Sequence, residues 1–188
     1  MLTWLKQKRD HRRTARVLYG SIVTQARQAA FYARHRVPDT AEGRFEMVAL
    51  HLVMVLHRLV RTGEPGRRLQ QATTEAFVID MDDAMREMSV GDLAVPRHVK
   101  RAVAVLHDRF AIYGKALASP RDGPLVEAIE ARLRPLQGAE GLDAGGICAY
   151  IRQATQALEL LEDARILAGR IDWPQPGAPG RDPHIVAR

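Results

Sequence analysis

Residues 45–60 read Phe45-Glu46-Met47-Val48-Ala49-Leu50-His51-Leu52-Val53-Met54-Val55-Leu56-His57-Arg58-Leu59-Val60. Phe45, Val48, Leu52, Val55 and Leu59 recur at steps of three and four, which is the spacing of one face of an α-helix. No other stretch of the chain carries so strong an amphipathic signal. His51, His57 and Arg58 interrupt the apolar run. A membrane span needs ~20 largely apolar residues, so the stretch predicts a core helix rather than a transmembrane one.

Working outward, the helix spans about 41–62. Val37-Pro38 closes the element before it, because proline cannot extend the hydrogen-bond ladder and restricts its predecessor. Asp39 and Glu42 sit three apart, as in a capping box for the new helix. Upstream, Val17, Ile22, Ala26 and Ala29/Ala30 predict a helix over 12–35, after a frayed basic segment 1–11. Downstream, Gly63-Glu64-Pro65-Gly66 reads as a turn before a helix over 66–88.

Further helices are predicted over 96–118 (Val99, Val103, Leu106, Phe110 and Tyr113 inward) and 124–134 (Leu125, Ile129, Leu133). The last, over 147–168, uses Ile147, Ile151, Ala154, Leu158, Leu161 and Leu167. Ser89–Pro96 and the glycine-rich stretch 137–146 read as loops. No alternating strand pattern occurs. The expectation is an all-α domain of about six helices over 12–173. It follows the basic segment 1–11 and precedes a Pro/Gly-rich disordered tail over 174–188.

At 188 residues the chain is long enough to bury a core, and with 5% aromatics that core must be mainly aliphatic. A single cysteine, Cys148, excludes an intrachain disulfide and a cysteine-built zinc site, and suits a reducing, cytoplasm-facing compartment. No secretory signal is expected. Residues 1–36 hold nine Lys/Arg against Asp10 alone, whereas the rest holds 19 basic and 21 acidic residues. The positive field therefore belongs to the amino-terminal segment. Trp4, Lys6, Lys8, Arg9, Arg12, Arg13 and Arg16 there are candidates for contact with anionic lipid or RNA, the other reading being a solvated tail.

No phosphate loop, nucleophile elbow or His-Glu-x-x-His helix is present, and no acid–base set can be named, so the chain reads as no enzyme. His51 and His57, six apart, lie on opposite sides of their helix, and His51 reads as a hydrogen-bonded core histidine before a ligand or switch. On the helix over 66–88, Phe77, Met81, Ala84, Met85 and Met88 form an apolar stripe. Asp80, Asp83 and Glu87 line its edge, while Asp82 and Arg86 are spaced for an i,i+4 pair. The acidic row reads as a solvated face or a protein-docking edge. A carboxylate metal site would need Glu-x-x-His motifs that are absent, so no metal and no cofactor are assigned. The methionines read as core, or as a surface that repacks around a partner. Lys100, Arg101 and Arg109 read as surface ion-pair formers.

Several short blocks follow one another in order. They are Leu18-Tyr19-Gly20, Ala30-Phe31-Tyr32, Val37-Pro38-Asp39-Thr40 with Gly43-Arg44-Phe45-Glu46-Met47, His51-Leu52, Asp80-Met81-Asp82, and Arg86-Glu87-Met88-Ser89-Val90-Gly91-Asp92. A fainter one is Gly169-Arg170-Ile171-Asp172-Trp173-Pro174, with Tyr150. In that order and spacing they resemble the ubiquinol–cytochrome c reductase (bc1 complex) chaperone family, in a bacterial form.

The resemblance implies a non-enzymatic all-α chaperone that binds newly made cytochrome b and assists its entry into the bc1 complex. No small-molecule substrate is implied, and the place of action is cytoplasmic, peripheral at the inner membrane surface. It implies structural roles for Asp39, Gly43, Arg44, Phe45, His51 and Lys100. Client contact would fall to Asp80, Met81, Asp82, Asp83, Met85, Arg86, Glu87, Met88, Gly91 and Asp92. The alternative is a helical adaptor that binds RNA or the ribosome through its basic amino-terminal helix.

Overall fold

The computed structural model describes the backbone of residues 2–87 and 95–177 and the side chains of 11–81 and 103–177. Among these residues there are eight helices and no strand. They are α1 Leu2–Ala26, α2 Ala29–Ala33, α3 Ala41–Val60, α4 Gly63–Glu87, α5 Val95–Ala118, α6 Gly123–Leu133, α7 Ala144–Leu160 and α8 Asp163–Leu167. Six are long and two are single turns, in keeping with the all-α expectation.

Helix α3 is the centre of the molecule and packs against α1, α4, α5, α6 and α7. Every residue from Glu46 to Leu56 is buried, so the helix is enclosed all round rather than along one stripe. Around it, α1 lies on α4, α4 on α5, α5 on α6 and α6 on α7. The core is aliphatic, as the composition requires, with Phe31, Phe77, Tyr113 and Tyr150 as its large rings.

The boundaries depart from expectation where side chains act on helix ends. Helix α1 is already formed from Leu2, not from about Arg12. It stops at Ala26 instead of continuing to His35, because Gln28 turns extended and Tyr32 Oη donates to the freed Ala26 carbonyl at 3.1 Å. Its buried stripe is Ala15, Leu18, Tyr19, Ile22 and Ala26, whereas Val17 lies outside it. Val103 of α5 is likewise exposed, while Leu106 and Tyr113 are buried as predicted.

The cap of α3 is Thr40, whose Oγ1 accepts from Gly43 N at 3.1 Å. Asp39 lies one residue outside the cap and pairs with Arg44 at 2.6 Å. Gly43 allows this tight entry, since a β-carbon there would fall 2.0 Å from the Pro38 carbonyl oxygen. Helix α4 starts at Gly63 and so absorbs the expected turn. Pro65 sits in its first turn, where the missing N–H costs nothing.

The expected helix over 147–168 is divided. Leu161 turns extended between α7 and α8, and Arg58 of α3 fills the break. Its Nε donates to Leu158 O at 2.7 Å, and its Nη2 donates to Leu161 O and Asp163 Oδ1, both at 2.6 Å. These bonds satisfy carbonyls that the end of a helix leaves orphaned. The glycine-rich stretch 137–146 is anchored as well. Leu142 is buried, and Asp143 N donates to His35 O at 2.9 Å. Asp143 then caps α7 by accepting from Gly146 N, and its other oxygen meets His35 Nδ1 at 2.9 Å. Residues 174–177 are tied to α1 and to the end of α2, with Pro174 O accepting from Gln25 and Gly177 O from Arg34. The rest of the expected tail, 178–188, falls outside the described residues.

Candidate functional site

The blocks Leu18-Tyr19-Gly20 and Asp80-Met81-Asp82 meet where α1 crosses α4. Tyr19 Oη donates to Asp80 Oδ2 at 2.8 Å, and the Tyr19 ring stands edge-on to Phe77. Burial, and then the Asp80 carboxylate, push the Tyr19 phenol far above its usual pKa. Beside this bond runs an open trough of about 420 Å³. Helix α1 lines it with Arg16, Gly20 and Val23, and α4 with Ala76, Ile79 and Asp80.

Of the acidic row, Asp80 is thus turned toward α1 and half-buried. Met81 is half-buried and packs on the core. Asp82, Asp83, Met85, Arg86 and Glu87 lie on the last turns of α4, and Lys100 on the first turns of α5, but their side chains fall outside the described set. Met88, Gly91 and Asp92 lie outside the described residues altogether. Trp4, Lys6, Lys8 and Arg9 belong to the first turns of α1, with side chains outside the described set, whereas Arg12, Arg13 and Arg16 are exposed on the same helix.

His51 is fully buried and hydrogen-bonded, as expected of a core histidine. Its Nδ1 lies 2.7 Å from Met47 O and its Nε2 3.1 Å from Tyr150 Oη. Phe31, Tyr150 and Trp173 surround the ring. Burial lowers its pKa to about 4, so the imidazole is neutral at pH 7. Gln25 Nε2 donates to both Tyr150 Oη and Pro174 O, and Trp173 Nε1 donates to Ser21 Oγ. The faint block around Gly169–Pro174 therefore serves to fasten the chain end over α1 and α3. His57 stands on the opposite side of α3 and stacks on Phe110 at 4.9 Å. Gly43, Arg44 and Phe45 shape the entry of α3, with Phe45 half-buried beside Phe77.

Sequence reasoning missed Glu46. It is buried in α3, where Arg109 Nε reaches both of its carboxylate oxygens at 2.9 Å, Arg109 Nη2 bonds Oε1, and Tyr113 Oη donates to Oε2 at 3.1 Å. Arg109 is accordingly no surface ion-pair former: its side chain is 14% exposed, against 6% for Glu46. The available signal was an acid set between Phe45 and Met47 on the most apolar helix. Cys148 is buried, and burial pushes its thiol up to about 11, which keeps it protonated and unreactive.

Among the described residues no group of three or more His, Cys, Asp or Glu is placed to hold a metal ion. No described helix is long and apolar enough to cross a membrane. Two of the motif blocks meet at an open trough lined also by Arg16, set on a core held by interior polar bonds. Fold and site together define a helical binding scaffold.

Comparison with known proteins narrows that class. Residues 33–173 match the family described as ubiquinol–cytochrome C chaperone. The chain superposes with a TM-score of 0.80 on the crystal structure of the Cbp3 homolog from Brucella abortus, at 31% identity over 93% of this chain and 97% of that one. It is also 22% identical over 169 residues, 85% of its length, to the ubiquinol-cytochrome c reductase complex assembly factor 1 of Drosophila melanogaster, and spans 64% of that relative. The chain belongs to the ubiquinol–cytochrome c chaperone family.

Proposed function

We propose that this protein is an assembly chaperone of the ubiquinol–cytochrome c reductase complex that binds newly made cytochrome b at the inner membrane surface. The observation that carries the reading is the family match over residues 33–173, together with the shared fold over 93% of the chain. The chemistry is that of reversible binding. Exposed Arg12, Arg13 and Arg16 on α1 suit an anionic membrane surface, where each cation contributes about 1 kcal/mol. The last turns of α4, with Asp80, Asp83 and Glu87, continue by sequence into the 88–94 segment, and both would engage the client.

The test is the b-type haem absorbance of membranes from a strain lacking this gene, against a complemented control and one complemented with the Asp80→Asn/Asp83→Asn/Glu87→Gln variant. Selective loss of bc1 cytochrome b with its messenger RNA unchanged is expected in the deletion, and partial loss in the variant. Normal cytochrome b in the deletion would refute the reading. Recovery of RNA through the basic helix, in a salt-sensitive manner, would then point to the adaptor alternative.

A further inference from the structure

Three features of the α1–α4 trough are left without a partner among the described residues. Gly20 sits in the interior of α1, where glycine weakens a helix relative to alanine. A β-carbon placed on it would meet nothing within 4 Å, so no internal packing demands the glycine. Ile79 lines the trough at 56% exposure, and Val17, three residues before Gly20 on α1, stands 54% exposed, two of the five large apolar side chains that stand exposed among the described residues. At one end, Arg16 and half-buried Asp80 both line the trough, and neither has an ionic partner among the described residues. Among the described residues Asp80 takes the hydrogen bond from Tyr19.

From these features we infer that the trough seats the end of an apolar helix of the client, an inference that rests on the chaperone reading. The small residues Gly20, Thr24 and Ala76 line a floor on which a second helix backbone can approach closely, as in membrane helix pairs. Val23 of α1 and Ile79 of α4 supply apolar contact on either side, with exposed Val17 three residues before Gly20. The charge pattern selects which helix fits. Membrane helices run apolar for about 20 residues and then meet polar flanks, with Lys/Arg in excess on the cytoplasmic side. A helix entering with its C-terminal end at the charged end of the trough brings its negative carbonyl pole to Arg16 and a flanking cation to Asp80. The apolar length behind that end lies over Gly20 and Ala76. The trough thus covers the part of a membrane helix that would otherwise aggregate before insertion.

The experiment places a photo-crosslinking amino acid at Val17 or Ile79 in the full chain, in cells translating cytochrome b. Val60 and Leu160, exposed apolar positions on α3 and α7, serve as controls. Cytochrome b adducts are expected from 17 and 79 and not from 60 or 160. Gly20→Leu projects a side chain into the trough from a position where a β-carbon meets nothing within 4 Å. It should fold with a Tm at or above wild type and lower the adduct yield at least tenfold, while Gly20→Ala retains it. Full adduct yield in a folded Gly20→Leu protein overturns the inference, as do adducts from 60 and 160 alone, or adducts from 17 and 79 only to a second copy of this chain. If cytochrome b co-isolates with wild type but gives no trough adduct, the trough fails and the chaperone reading stands. If cytochrome b does not co-isolate at all, the chaperone reading itself fails.

Discussion

Replacing Arg109 by leucine removes the cation that faces a carboxylate with almost no access to water. Glu46 would keep only the hydrogen bond from Tyr113, having lost three contacts from the guanidinium. Stripping one partner from a buried ion pair costs about 3–5 kcal/mol, because the remaining charge is desolvated without compensation. A protein of this size loses roughly 2–4 °C of Tm per kcal/mol, so Arg109→Leu should melt about 6–20 °C below wild type. The Arg109 contact to exposed Asp108 adds little to this, since solvent-facing pairs are worth about 0–1 kcal/mol. In the double variant Glu46→Leu/Arg109→Leu no buried charge is left, and only the Tyr113 hydroxyl lacks its acceptor, a cost of about 1–3 kcal/mol. The double variant should therefore be more stable than Arg109→Leu alone. Urea unfolding followed by circular dichroism, run as a double-mutant cycle, reads all four proteins. An Arg109→Leu cost below about 1 kcal/mol, or a double variant as unstable as the sum of the singles, would refute the claim that this pair is buried and coupled.

Three further outcomes follow from named atoms. Burial holds the folded His51 at a pKa of about 4 against an ordinary 6.5, so between these values the unfolded chain takes up a proton that the folded one refuses. Its contribution is complete above pH 6.5 and is lost as pH falls, about 3 kcal/mol by pH 4. His51→Leu should be less stable at pH 7.5 yet fall less steeply below 6.5, and parallel pH curves would sink the argument. Arg58→Leu takes the guanidinium donors from the Leu158 and Leu161 carbonyls, leaving Leu158 O its bond from Leu161 N, and should cost about 2–4 kcal/mol. Hydrogen exchange should then quicken in residues 158–168 first, and uniform acceleration would count against the capping role. Gly43→Ala, despite alanine's better helix propensity, should cost about 1–3 kcal/mol in thermal melts through its clash with Pro38 O, and a stabilised variant would contradict the close approach.

The helices were legible because an apolar stripe is a local property of the chain. Leu125, Ile129 and Leu133 are buried where their spacing puts them. Helix ends were less legible because distant groups set them. Nothing near Leu161 announces that Arg58, a hundred residues earlier, will take its carbonyl. The same limit applies to the site. A helical wheel places Asp80 at the edge of a stripe, but it cannot say that α1 lies across that edge and offers Tyr19. Val17 was read as core because it lies near the right spacing, yet the stripe that closes on α3 and α4 is Ala15, Leu18, Ile22 and Ala26. Glu46 and Arg109 were separated by 63 residues, and only the packing of α3 on α5 joins them.

Those distant polar bonds share one origin, which bears on how the molecule works. Helix α3 carries three buried polar side chains, and each ties it to a different neighbour: Glu46 to α5, His51 to α7 through Tyr150, and Arg58 to the break before α8. An aliphatic core tolerates many arrangements of similar volume, whereas a buried polar group is satisfied in few. The three bonds therefore fix how α5, α7 and α8 sit on α3, independently of what happens elsewhere. Between α1 and α4, among the described residues, the side-chain hydrogen bond is Tyr19–Asp80, which lies beside an open trough. On the proposed chaperone reading such a division has a use: the three α3 bonds keep the chain folded while unoccupied, and the α1–α4 face, with its open trough, would meet the client. Tyr19→Phe tests the division, since it removes the Tyr19–Asp80 bond and leaves all three α3 bonds in place. It should lower global stability by only about 1 kcal/mol while raising hydrogen exchange in α1 and α4 ahead of α5 and α7. Equal acceleration in all four helices would show that the molecule has no such division.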